Sequence, residues 1–276
     1  MTKTRDFNQN IAGRVAKLRV RDSLMPLFEA VMNSVQAIED VGEPGKGHIT
    51  VEGERRYEKL ATGEKGETAV GGFLIEDNGI GFTEENMESF LTSDSQYKAD
   101  RGGKGVGRFT YLRFFERVTI LSVFDDPSEG RMQRGFVFTI DGATDDDIEP
   151  VDNKKTPRQT LVHLEKLKGE FIIRKPLEEI ADALLEHFTA LFVTGAAPSL
   201  SLQDKTGTID LQARFRHRFG DATSHQFEIG NHTFKTSGLR LYTGNKAHKL
   251  LLCAQSRSVT EVGLKQLEPL LKRKID

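Results

Sequence analysis

The sequence predicts an α/β protein of the α+β sandwich kind, and three features predict it. Apolar residues recur at three- and four-residue steps in 24–39 and again in 177–193, as core-facing helices require. Short apolar runs of strand length lie between them, at 49–56, 73–75, 117–124, 132–140 and 159–166. Gly, Pro and Asn clusters punctuate the boundaries. With 276 residues, 37% of them hydrophobic and 18 of them Phe, the chain can fill a large core. At about 150 residues per domain it corresponds to roughly 1.8 domains.

Composition narrows the class further. Lys and Arg number 39 against 41 Asp and Glu, a net charge of −2 that excludes a disordered or polycationic chain. Cys253 is the single cysteine, so no internal disulfide forms, which fits a reducing compartment. The start is polar, and no apolar run approaches the ~20 residues of a membrane span. The expectation is a cytoplasmic protein with no membrane partner. Charge is nevertheless uneven. Residues 125–152 carry nine acids against Arg131 and Arg134, whereas 205–276 carry thirteen Lys and Arg against six acids. A basic segment of that kind either meets nucleic acid or is a solvated face.

In chain order, Leu24, Leu27, Phe28, Val31, Val35 and Ile38 share one helical face. Asp22 and Ser23 are candidate caps, Pro26 suits a first turn, and Gly42, Pro44, Gly45 and Gly47 end the helix. A strand over 49–56 leads into a Gly/Glu/Lys-rich loop over 58–71. Phe73-Leu74-Ile75 reads as a buried strand that enters a turn at Asp77-Asn78-Gly79. Thr83 can cap a short helix through Leu91, with Glu84 and Glu85 at its positive end. A helix over 106–116, three strands separated by the acidic loop, and one amphipathic helix over 177–193 follow. Short strands near 199–203 and 207–212 precede a basic, strand-rich region from about 213, closed by a helix from about Glu261.

Three constellations carry chemistry. On the first helix Glu29, Asn33 and Gln36 project together, away from the apolar stripe. The Asn33 amide oxygen can ligate Mg²⁺, a hard cation that takes few protein ligands and keeps phosphate oxygens and waters. Glu29 can take a proton from a water attacking a γ-phosphate. An ordinary solvated helix face also carries such residues. The second constellation is Asp77-Asn-Gly79-Ile-Gly81, where a carboxylate can accept the adenine amino hydrogen and glycines allow close backbone approach. A plain Asp-Asn-Gly turn is the simpler alternative. The third is Arg101-Gly102-Gly103-Lys104-Gly105-Val106-Gly107-Arg108-Phe109, opening into an apolar helix. Backbone N–H groups there can cradle phosphates, with Lys104 and the upstream Lys98 neutralising charge. A Walker A loop needs Gly-Lys-Ser/Thr, and Gly105 follows Lys104; the dinucleotide fingerprint needs an acid ~20 residues downstream.

These motifs, in this order and at these separations, resemble the boxes of the GHKL ATPase superfamily: gyrase B subunits, 90-kDa heat-shock chaperones, histidine kinases and mismatch-repair ATPases. Arg158-Gln-Thr160-Leu-Val162 resembles the last box, whose strand Thr helps to hold the adenine-side Asp. The resemblance covers at least residues 20–166. It implies a Bergerat-fold (HATPase) ATP-binding domain over 1–208, with a lid over about 92–107 that orders on the γ-phosphate. It further implies that ATP and Mg²⁺ are bound and ATP is hydrolysed, with closure driving an ATP-dependent homodimer. Two positions depart from the pattern: Gln36 stands where many members have Asp, and Gln159 where Gly often precedes Thr.

Glu29 places the chain nearer the hydrolysing branch than the histidine kinases, and His48, in a Gly-rich loop, reads as a surface histidine. Leu250-Leu-Leu-Cys-Ala-Gln-Ser-Arg257-Ser-Val259 resembles the strand-turn-helix segment of a ribosomal-protein-S5-like transducer, so 209–276 is read as the start of such a domain, short for a complete one. The expectation is an N-terminal portion of a longer protein. Three functional classes stay open: an ATP-driven switch in a DNA-associated or bacterial defence machine, a chaperone-like ATPase acting on protein clients, and a nucleotide sensor with negligible turnover.

Overall fold

An apolar helix on a mixed sheet organises the molecule. The computed structural model describes residues 10–59, 62–63, 65–92, 107–144, 147–152, 154–242, 249–254 and 257–263. Helix α1 (Ile11–Lys17) is capped by the Asn10 side chain, which accepts from the Gly13 N–H at 2.7 Å. Helix α2 (Met25–Val41) buries Leu27, Val31, Val35 and Ile38 and stops at Gly42, whose φ of +79° suits a residue without Cβ. The cap differs in detail from the sequence reading. Leu24 is the N-cap, and Asp22 receives the Leu24 N–H at 2.9 Å. Leu27 and Val31 are fully inaccessible, and truncating either to Ala costs about 2–5 kcal/mol.

Strand β1 (His48–Lys59) pairs antiparallel with β2 (Lys65–Asp77). The stretch 58–71, expected as a loop, is largely the outer end of this hairpin. Its Glu- and Lys-rich composition lacks the apolar alternation that would mark a strand, and tertiary pairing overrides it. Helix α3 (Glu84–Leu91) starts where expected, with Thr83 Oγ1 accepting from the Asn86 N–H. After it come α4 (Gly107–Phe114), β3 (Phe115–Asp126), β4 (Gly130–Thr139), β5 (Gly142–Ala143), β6 (Asp147–Pro150) and β7 (Gln159–Leu167). The expected single helix over 177–193 is broken at Phe188 into α5 (Leu177–His187) and α6 (Thr189–Thr194), where the Thr189 hydroxyl donates to the Leu185 carbonyl at 2.8 Å. Strands β8 (Ser199–Asp204) and β9 (Gly207–Asp210) complete the main sheet.

Among the described residues, nine strands form this mixed sheet in the path β5-β4-β3-β7-β2-β1-β8-β9, with β6 on the edge of β4. All pairs are antiparallel except β1 with β8. Helices α2, α4 and α5 contribute to one continuous core that includes Phe73, Phe114, Phe115, Leu164 and Leu184. Arg55 ties β1 to the end of β8 through Asp204 at 2.7 Å and donates to the Lys175 carbonyl at 2.8 Å.

Past the sheet, residues 211–218 are helical rather than the end of a strand. Asp210 caps α7 (Leu211–Arg218) by accepting from the Ala213 N–H at 2.7 Å, and Leu211 is fully buried. Arg214 and Arg218 both reach Asp182 on α5 at 2.6 Å, so part of the basic character of 205–276 is neutralised within the fold. Two hairpins follow: β10 (Thr223–Ile229) with β11 (His232–Gly238), and β12 (Lys249–Ala254) with β13 (Arg257–Gly263). Glu261 to Gly263 belong to β13, so a helix does not begin at Glu261; residues 264–276 lie outside the described set. Among the described residues no helix is long and apolar enough to cross a membrane.

Candidate functional site

The site is built on two elements, α2 and the end of β2. Along β2, Phe73, Ile75 and Asp77 alternate onto the buried side, so the strand's period carries a carboxylate into the interface with the helix. Asp77 is 3% exposed. The Ser34 hydroxyl on α2 donates to its Oδ2 at 2.7 Å, and the Gly79 N–H donates to its Oδ1 at 2.8 Å. Burial nevertheless wins: loss of solvation raises the carboxyl from an ordinary 3.8 to about 6, against the two hydrogen bonds and the attraction of His48.

Thr160 lies directly opposite Asp77 in the β2–β7 register, and Ser122 lies opposite Thr160 in the β3–β7 register. The three polar side chains form a row across adjacent strands, all buried. The Ser122 and Thr160 hydroxyls share a hydrogen bond of 2.9 Å, and Ser122 Oγ also accepts from the Phe82 N–H at 2.9 Å. The turn after Asp77 is pressed against this row and against α2. The Ile80 N–H donates to the Ala37 carbonyl at 2.9 Å. A Cβ on Gly79 would stand 2.6 Å from the Ala37 methyl, and one on Gly81, at φ +83°, would stand 2.8 Å from both Ser122 Oγ and Phe124 Cβ. Both positions require glycine for close approach.

The other end of the site lies two turns earlier on α2. From Ala37 back to Glu29 is about 12 Å of helix axis. Glu29 is half-buried and Asn33 is exposed. A Cβ on Gly107, the first residue of α4, would meet Glu29 Oε2 at 2.6 Å, so the carboxylate lies against the start of that helix. The Asn33 amide donates to Tyr111 Oη on α4 at 2.9 Å. Burial, and after it the Glu29 charge, push the Tyr111 phenol upward against the Asn33 hydrogen bond and the Arg108 charge, so it stays protonated.

The remaining expected residues fall as follows. Gln36 is buried, 7% exposed, whereas Asn33 one turn back is open; the two are not equally presented. Arg108 donates to the carbonyls of Thr92 at 2.8 Å and Ser89 at 3.3 Å and lies over the Phe90 and Phe109 rings, joining α4 to the end of α3. Phe109 is buried in the core, so its side chain is not offered to a ligand. Lys98, Gly102, Gly103, Lys104, Gly105 and Val106, and the expected lid over 92–107 apart from Thr92 and Gly107, lie outside the described residues. Asn78 serves structure: it accepts from the His48 N–H and donates to the Lys46 carbonyl, each at 2.9 Å.

Sequence reasoning missed Ser34, Ser122 and Tyr111. Ser34 had a signal, because it occupies the apolar stripe at Leu27, Val31, Ser34 and Ile38, where a lone hydroxyl needs a buried partner. Ser122 and Tyr111 had none, since both sit in runs that read as ordinary strand and helix.

Chemically, the floor offers a buried acceptor for a donor such as an amino group. The far end offers a carboxylate and an amide one turn apart. Among the described residues no three His, Cys, Asp or Glu cluster to hold a metal. The exposed Asn33 amide could give one oxygen to a hard divalent cation such as Mg²⁺, which needs few protein ligands. No protein-family model matches the chain, and no curated protein matches it.

Proposed function

We propose that this chain binds ATP with Mg²⁺ and hydrolyses it, as a Bergerat-fold module of the GHKL type whose nucleotide state governs self-association. The observation that carries the reading is the Asp77 floor: a buried carboxylate, oriented by Ser34 and Gly79, beneath a turn in which Gly79 and Gly81 leave no room for a Cβ. A buried acceptor of this kind suits the adenine amino group, and the glycines let the turn that carries it pack tightly on Ala37, Ser122 and Phe124.

Glu29 and Asn33, on the same helix, would face the triphosphate. Asn33 would supply one oxygen to Mg²⁺. When bound, Mg²⁺ neutralises phosphate charge. Glu29 would accept the proton of the attacking water as the water oxygen bonds the γ-phosphorus and the bond to the leaving ADP oxygen breaks. Its carboxylate lies against Gly107, the first residue of α4.

Calorimetric titration with ATP and a phosphate-release assay test this. Asp77→Asn is expected to abolish ATP binding. Glu29→Ala is expected to bind ATP and release no phosphate above background. Binding unaffected by Asp77→Asn removes the reading; turnover at the parental rate in Glu29→Ala removes Glu29 as base. A parental chain that binds ATP without turnover is a nucleotide sensor instead.

A further inference from the structure

We propose that Ser122 and Arg134 are positioning residues for ATP: together they clamp the turn from Gly79 to Thr83 in place over the Asp77 floor. This rests on the nucleotide reading above and extends it to the strands beyond β7.

The row of polar side chains across the sheet does not stop at Ser122. Arg134 on β4 lies directly opposite Ser122 in the β3–β4 register. Asp77, Thr160, Ser122 and Arg134 therefore form one line across four strands, on one face of the sheet. Arg134 is 1% exposed. A guanidinium stays charged at any ordinary pH, and burying it is costly unless hydrogen bonds and a counter-charge meet it. What meets it here is the turn.

The chain leaving Asp77 runs back along this line. The Gly79 N–H is on Asp77, Gly81 lies against Ser122 Oγ, and the Phe82 N–H donates to Ser122 Oγ at 2.9 Å. Arg134 Nη1 then donates to the carbonyls of Phe82 at 3.1 Å and Thr83 at 3.2 Å, while Nη2 pairs with the exposed Glu84. The guanidinium also stands 5.4 Å from the centroid of the Phe124 ring, and Phe124 Cβ bounds the space at Gly81. Residues 79–83 belong to no helix or strand, so their backbone groups need partners from elsewhere. One cross-strand pair serves both polar groups of Phe82: Ser122 takes its N–H and Arg134 its carbonyl. With Gly79 tied to Asp77 at the other end, the turn is fixed at both ends. A turn in place in only a fraction of molecules would weaken the apparent affinity by that fraction.

Arg134→Lys keeps a buried cation and loses the fork, and Ser122→Ala removes one hydroxyl. Calorimetric titration of the full chain with ATP and Mg²⁺ separates two quantities. Kd reports how well the site is arranged, and stoichiometry reports how many molecules are folded to bind. A net hydrogen bond is worth a factor of about 5, so each variant should raise Kd about 5-fold at the parent's stoichiometry. A purely structural pair would lower the stoichiometry and leave Kd where it is, and that result overturns the proposal. So does an unchanged Kd in either folded variant. If Arg134→Lys shows no cooperative thermal unfolding, Ser122→Ala decides alone. A parent that binds no ATP overturns the nucleotide reading itself, and this proposal with it.

Discussion

Asp77→Asn should make the ligand-free protein more stable while removing its proposed function. The native carboxyl titrates at about 6, above the ordinary 3.8, because burial outweighs the Ser34 and Gly79 hydrogen bonds. A folded-state value above the unfolded one contributes stability that is fully present below about pH 3.8 and is lost as pH rises through about 6. At 1.36 kcal/mol per pH unit, carrying Asp77 ionised at pH 7.5 costs about 3 kcal/mol. Asn has the same shape and no charge to bury. Its oxygen can accept from Gly79, and its nitrogen can donate to Ser34 once that hydroxyl turns. Urea unfolding at pH 7.5 should show the variant more stable by up to about 3 kcal/mol, or roughly 5–10 °C in Tm. By pH 4.5 the margin should shrink to about 1 kcal/mol, because most native Asp77 is then protonated. A variant less stable than the parent at pH 7.5, or a margin that does not change with pH, refutes the reasoning.

Gly81→Ala should lower stability by about 2–4 kcal/mol in thermal unfolding, since φ is +83° and the new methyl meets Ser122 Oγ and Phe124 Cβ. Thr160→Val deletes one hydroxyl from the buried row and should cost about 1 kcal/mol, leaving Ser122 Oγ with the Phe82 N–H. Light scattering with a non-hydrolysable ATP analogue should show a dimer that is absent without nucleotide; an unchanged mass removes the nucleotide-driven self-association.

Parts of the fold with a strong period were legible in the sequence. The helix around Glu29 is one, because its apolar stripe and its Gly42 stop are local signals. The cap at Thr83 is another, because one side chain and one N–H decide it. Polar strands were not: the outer ends of β1 and β2 owe their form to each other rather than to their composition. Helix α7 was hidden because Leu211 and Phe215 are its main apolar anchors amid Arg and His, and only Asp210 announced it. At the site, Asp77 and the glycines could be read from the chain, whereas Ser34 and Ala37 on α2 and Ser122 on β3, which hold Asp77 and the turn after it, lie about 40 residues away. Sequence order carries no mark of such pairings.

The lone parallel pair bears on how the molecule is made. One edge of β1 is covered at once by β2, but its other edge waits for β8, whose Ser201 follows Thr50 by 151 residues. At ribosomal speeds of about 5–20 residues per second, that interval is on the order of 10–30 s. During it the nascent chain carries an open strand edge next to the helix that bears Glu29, a template for wrong partners until β8 emerges and Asp204 reaches Arg55. Chaperone demand should therefore peak in mid-synthesis, and chains cut short of Asp204 should aggregate.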